Sequence, residues 1–430
     1  MSTSGNTAGR SRRNAAIVAT GALALAAAFA PGAHAATFVV NDTADAPDAK
    51  PGDAYCITAA ATCTLRAAIQ EADASSGADT VILPAGQFNL TIPPTTEAGS
   101  VADSDASNGD LDITDTLTVR GAGARQTTIN GNGLDRVFSS ETGTTSVISG
   151  MTITGGDATG GGTSQEIGMG GGIWNKGTMT LERLRLVGNH ADGGGAVFSI
   201  PGTYITIRDS VLAHNSAVEG GAIRFDSGGE LVNSTVTDNV LRTVPKAALL
   251  PDQLSGYGGG IDHRGGGDLT IIDSTIAGNH ALKGGGGLNS AQGYAPLSDK
   301  LELGRVRLRN TIIADNTSDA GAANCHTDQI ILQSTGHNLD SDGSCQLTAS
   351  TDLPKRNPLL GPLAFNGGPT ETLALLAGSP AIDAAGSNCS ARDQRGVVRP
   401  QGSACDIGAY EYVTPPARRR RAKRHHRAVR

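Results

Sequence analysis

Five times between Gly170 and Asn316 the chain writes one phrase: a glycine cluster, an apolar residue, a polar turn, an alternating strand and an Asn. Counting back from Asn189, Asn215, Asn239, Asn279 and Asn316, the third residue is always aliphatic: Leu186, Leu212, Val236, Ile276 and Ile313. The eighth is aliphatic too: Leu181, Ile207, Leu231, Ile271 and Leu308. Between these columns four copies carry a polar pair, Asp209-Ser210, Asn233-Ser234, Asp273-Ser274 and Asn310-Thr311. The glycine clusters begin at Gly170, Gly193, Gly220, Gly258 and Gly285, where backbone must take positive φ or pack closely on its neighbour.

A unit of about 24 residues built from short β-branched runs and corners is a solenoid coil, not a helical repeat. The two longer intervals between Asn residues hold insertions at 240–257 and 291–305, which a solenoid accommodates as loops. Stacked coils place like residues above one another at the ~4.8 Å strand spacing, giving aliphatic stacks inside and a ladder of Asn amides. The fold this predicts is all-β: a right-handed parallel β-helix with an N-terminal capping α-helix and a small C-terminal β-rich domain. The phrase Gly220-Gly221-Ala222-Ile223, with its apolar-x-x-Asn ending, resembles the repeats of the polymorphic outer-membrane adhesins.

Arg10, Arg12 and Arg13 precede the apolar run 15–30, and Ala33-His34-Ala35 supplies a small-x-small cleavage site. Residues 1–35 therefore read as a general secretory signal, and the protein as secreted, extracellular or held at the cell envelope surface. No later run reaches the ~18 apolar residues of a membrane span. Net charge is −7, but eight Lys and Arg crowd the tail after Ala417, so the body is more acidic than that figure. An acidic body does not favour nucleic acid. The tail, 414–430, reads as disordered.

Six cysteines in an exported chain suggest disulfides, and their spacing favours Cys56–Cys63, Cys325–Cys345 and Cys389–Cys405, although 15 connectivities are possible. Zinc competes poorly without a Cys-x-x-Cys. Thr64 can cap an amphipathic helix whose apolar side is Leu65, Ala68, Ile69 and Ala72, and which ends at Gly77. Such a helix, within residues 36–78, covers the open end of a solenoid spanning 79–350. Cys63-Thr64-Leu65-Arg66-Ala67-Ala68 resembles the motif of exported bacterial proteins named for Cys-Ser-Leu-Arg-Glu-Ala, with Thr64 for Ser and Ala67 for Glu. It also resembles the N-terminal cap of pectin-lyase-like β-helices.

Residues 351–413 carry a second resemblance. Phe365-Asn366-Gly367-Gly368-Pro369-Thr370, Gly378-Ser379-Pro380-Ala381-Ile382-Asp383, Asp393-Gln394-Arg395-Gly396 and Cys405-Asp406-Ile407-Gly408-Ala409-Tyr410-Glu411 look like the choice-of-anchor Q domain. That resemblance implies a C-terminal companion of bacterial surface β-helices. Upstream, the acidic run containing Asp103, Asp105 and Asp110 is a solvated loop or, alternatively, a calcium site of hard oxygen ligands that misses the EF-hand spacing. No other cofactor is expected.

For chemistry, the outward column after each glycine cluster is read as Trp174, Val197, Arg224, Asp262 and Asn289. Arg224 beside Asp262, with His263 following, brings a base, a carboxylate and an imidazole together as candidate catalytic groups. The competing reading is a ladder ion pair between Arg224 and Asp262. Trp174 is a candidate platform for a sugar ring, and with Arg224, Asp262 and Asn289 would line a ligand face. Two functions follow: a non-catalytic, adhesin-like surface protein that binds glycans or a cell-surface partner along the coils, as a monomer; or a polysaccharide lyase or glycoside hydrolase of pectin-lyase-like fold. A shared fold does not decide between them.

Overall fold

A computed structural model describes residues 35–95, 106–159, 168–243, 256–264, 266–291, 304–328 and 332–414. Residues 1–34, Asp103, Asp105, most of the two insertions and nearly all of the basic tail lie outside these residues. The described residues form one compact unit. Each coil runs through four faces. In the coil of Trp174 these are Ile173–Asn175, Thr178–Glu182, Arg185–Val187 and His190–Ala191, called here the first to fourth faces. Among the described residues they stack into sheets of 8, 10, 10 and 7 strands. Among the described residues pairing between coils is parallel; the hairpin of Thr317–Ser318 with Gly321–Ala322 and, outside the coils, Leu360–Ala364 with Thr372–Leu375 are antiparallel. The architecture is a parallel β-helix.

Register follows the repeat. Leu181, Ile207, Leu231, Ile271 and Leu308 pair in succession along the second face, while Leu186, Leu212, Val236, Ile276 and Ile313 stack along the third, all buried. Both insertions are crossed without a slip. In each glycine cluster one residue has positive φ, from Gly170 at 66° to Gly285 at 57°. The next lies against the following coil; a Cβ on Gly221 would stand 2.1 Å from the Gly259 carbonyl oxygen.

The Asn ladder is continuous. Each side-chain amide of Asn189, Asn215, Asn239, Asn279 and Asn316 donates to the next carboxamide oxygen at 2.9–3.1 Å, and that oxygen also accepts the backbone N–H of the preceding Asn. A second amide hydrogen of each reaches a strand carbonyl, such as Leu212 O from Asn239. Asn324 ends the ladder; it lies only eight residues after Asn316, outside the repeat period, so the spacing did not reveal it. Hydrogen-bonding demand of these fully buried groups is thereby met.

Thr64 accepts the Ala67 N–H and caps the helix Leu65–Ala74, whose apolar side closes the N-terminal end of the core. Unexpected from its amphipathic pattern, Arg66, Gln70 and Glu71 are buried too. Arg66 pairs with Asp45 at 2.6 Å and donates to the carbonyls of Ala106, Gly109 and Asp110. Disulfides join Cys56 to Cys63, Cys325 to Cys345 and Cys389 to Cys405, the pairs that neighbour spacing favours. Cys325 and Cys345 belong to the core cluster at its C-terminal end.

Residues 357–412 lie along the outside of the third face. Glu371 pairs with Arg185 at 2.7 Å, Gln394 accepts from Thr235, Ser390 donates twice to Asp273, Gly386 N donates to Asn310 and Ala409 N to Thr275. Two of these anchor positions, Asp273 and Asn310, sit on the corner column Asp209, Asn233, Asp273 and Asn310, whose positive φ of 49–53° suits Asp and Asn. Leu375, Ala381, Ala385 and Ile407 pack on Ile312, Ala314 and Leu339. This cover explains why third-face strands such as Val211–Ala213 and Ile312–Ala314 are buried on both sides.

Candidate functional site

On the first face the outward column runs Asp112, Ser139, Trp174, Phe198, Arg224, Asp262, Asn289 and His326. Val197 does not belong to it. It pairs with Ile173 and Ile223 and faces the core, because Gly193 stands level with Met169 and Glu219 and so starts its glycine cluster one residue early. A one-residue shift turns a side chain to the opposite side of a strand.

Arg224, Asp262 and Asn289 do come together on consecutive coils, but His263 does not join them. Adjacent residues of a strand point to opposite sides. The His263 ring lies inward in register with Phe225 and Ser290, fully buried, with Nε2 2.9 Å from the Gly267 carbonyl oxygen. Burial holds this imidazole below its usual pKa, hence neutral. It is a core histidine.

Nor is there a direct Arg224–Asp262 ladder pair. Arg224 donates to Glu219 at 2.6 Å and forks onto Asp226 at 2.9 and 3.0 Å, while Arg264 contacts Glu219 at 2.9 Å and Asp262 at 2.8 Å. Asn289 donates to the other Asp262 oxygen at 2.6 Å. Three carboxylates thus share two guanidiniums. Burial outweighs the arginines and pushes Asp262 up to about 6, with Glu219 adding to the rise. Arg224 is held above its ordinary value: its burial acts the other way, but Asp226 and Glu219 prevail. Asp226 was legible as the residue two after Arg224, on the same side of the strand; Glu219 lies in a turn with no periodic signal. Asp262 and Asn289 are wholly buried, so this network holds coils together and presents no open carboxylate to a substrate.

Trp174 is likewise closed. It is 3% exposed, packs with Met169 and Phe198, and carries the Arg136 guanidinium at 4.5 Å and Lys176 Nζ at 4.2 Å over its ring. A sugar has no access to that face. Of the acidic run, Asp110 is buried 3.7 Å from Arg136, and Asp112 is buried in the strand Leu111–Ile113. Among the described residues no three His, Cys, Asp or Glu side chains stand in a metal-holding arrangement. No described helix is long and apolar enough to cross a membrane.

The open surface is the second face. Its central outward column reads Thr80, Thr118, Val147, Thr180, Thr206, Glu230, Thr270, Arg307 and Gln333, none of them buried except in part. At the edge shared with the first face a groove of about 470 Å³ is bounded by Tyr204, Asp226, Asp268, Thr270 and Arg307. Tyr204 is 43% exposed there. Asp268 is held below the usual carboxylate range by the Arg305 N–H and by Arg307, 2.5 Å away. Neither Tyr204 nor Asp268 stood out in the sequence, because both fall between the periodic columns of the glycine-led phrase.

Neither a family model nor a curated protein matches the sequence. Among solved structures, that of pectate lyase Pel9A aligns with 88% of this chain and 97% of its own at 15% identity, with a TM-score of 0.41.

Proposed function

We propose that this chain is an exported, non-catalytic surface protein that binds a polysaccharide along its second face. The observation that carries this reading is the groove at Tyr204. Of the three faces with strands longer than two residues, the third is covered by residues 357–412, and the outward column of the first is closed by its own ion pairs and Trp174. The second offers an exposed aromatic ring, a run of threonine hydroxyls and the pair Asp268–Arg307 beside a groove large enough for a small sugar unit. The secretory-signal reading of residues 1–35, the Cys-Ser-Leu-Arg-Glu-Ala resemblance of the cap and the choice-of-anchor Q resemblance of residues 351–413 support binding at the cell surface.

The test is retention of the chain from Ala36 onward on a panel of neutral and acidic polysaccharides, with calcium and with chelator, alongside assays for new reducing ends and unsaturated uronate. Retention by at least one polymer is expected, at least tenfold weaker in Tyr204→Ala and unchanged in Trp174→Ala. Absence of retention on every polymer would sink the proposal. Cleavage that disappears in Asp226→Asn or Asp268→Asn would replace it with the lyase or hydrolase reading.

A further inference from the structure

The floor of the second-face groove is backbone. Gly228 stands in register with Tyr204, one coil on, and so takes the outward position beside that ring without a side chain. A Cβ there would lie 3.4 Å from Tyr204 Cδ2 and 3.3 Å from the Asp268 carbonyl oxygen, closing the space next to the ring. Gly228 has no positive φ, so its backbone conformation does not demand glycine. Tyr204, Gly228, Thr270 and Arg307 belong to four successive strands of the sheet. The groove therefore extends over three strand spacings, about 14 Å, a length for a stretch of polymer and not for one sugar.

Three charged side chains line the groove among the described residues, Asp226, Asp268 and Arg307. Each already holds an opposite charge. Asp226 accepts from Arg224 at 2.9 and 3.0 Å, and Asp268 accepts from Arg307 at 2.5 Å. A carboxylated sugar drawn to Arg307 would meet the Asp268 carboxylate beside it, and a sugar ammonium drawn to Asp268 would meet Arg307. Either ion gains little from a pair that is already made and is repelled by one of its members. An uncharged sugar meets no such penalty: the remaining lone pairs of Asp268 accept its hydroxyls, Arg307 and the Thr270 hydroxyl donate to them, and the exposed Tyr204 ring carries its carbon face.

We infer that the groove selects an uncharged hexopyranose polymer, one ring of which sits over Gly228 between Tyr204 and the Asp268–Arg307 pair. This selectivity rests on the second-face reading and names the ligand class of that same groove. Gly228 makes the seat, and the paired charges keep ionic sugars out of it.

The experiment measures dissociation constants of the chain from Ala36 onward on immobilised polymers that share a backbone and differ in charge. The pairs are hydroxyethylcellulose with carboxymethylcellulose, fully methyl-esterified pectin with polygalacturonate, and glycol chitin with glycol chitosan. Binding to the neutral member of at least one pair is expected, at least tenfold tighter than to its charged counterpart and unmoved by added salt. Gly228→Ala, which closes the seat, should weaken that binding at least tenfold, and Thr270→Val, which keeps the shape of the wall, several-fold, both at an unchanged melting temperature. Equal or tighter binding of a charged member that Tyr204→Ala weakens would overturn this selectivity and leave the second-face reading standing. Binding to a neutral member that is indifferent to both Gly228→Ala and Thr270→Val would overturn it as well. Absence of binding to all the polymers, or binding indifferent to Tyr204→Ala, would overturn both.

Discussion

At residue scale, the side chains that fix this fold are those that satisfy two neighbours at once. Asn239 donates to Asn279 and to Leu212 O while its oxygen receives both the backbone and side-chain N–H of Asn215. Asn239→Ala orphans several of these buried groups and is expected to cost about 3 kcal/mol, read as a fall in the urea midpoint. Ile276→Asp would put a charge in the third-face stack; an unchanged melting transition would refute that column assignment. Buried carboxylates set the pH response. Burial raises Asp262 to about 6, and Asp73 and Asp112 to about 7. Between their ordinary value and these, the folded chain binds more protons than the unfolded one, so stability grows as pH falls from about 8 toward 5. Asp268, shifted down by the Arg305 N–H, works oppositely, and its contribution is lost only in stronger acid. A higher melting temperature at pH 5 than at pH 8 is expected, with the difference reduced in Asp262→Asn. The ladder and the aliphatic stacks were legible because periodic spacing alone decides them. Val197 and His263 were misplaced because an early glycine, Gly193, shifts the count by one and the two-residue alternation of a strand decides which way a side chain points.

At the scale of elements, two devices close the solenoid's ends. The helix Leu65–Ala74 covers one, and the Cys325–Cys345 bridge ties the last first-face strand to the segment that seals the other. Replacing both cysteines with serine should cost about 3 kcal/mol for a loop of 20 residues, measurable as a lower urea midpoint, with hydrogen exchange rising first around Leu332–Ser334. The helix and cysteine pairs were readable from capping and local spacing. The docking of residues 357–412 was not: its anchors, such as Ser390 on Asp273, join positions 117 residues apart, a distance at which no periodicity operates. Asp273→Ala removes the acceptor of two Ser390 bonds; proteolysis between Ala384 and Arg399 should accelerate several-fold while the coils stay intact.

At the scale of the molecule, growth and termination obey different rules. Each coil is joined to the next by the same bonds, so the stack itself has no preferred height. Residues 357–412, however, step across successive coils: Gln394 at Thr235, Ser390 at Asp273, Gly386 at Asn310 and Ala384 at the ring of His337. Residues 357–412 are therefore a measuring rod laid against the stack. Duplication or loss of a repeat, the mutation to which tandem sequences are most prone, would leave a foldable column whose rungs no longer matched the rod. A chain free to vary in length is thus held to one length by a segment outside the repeat.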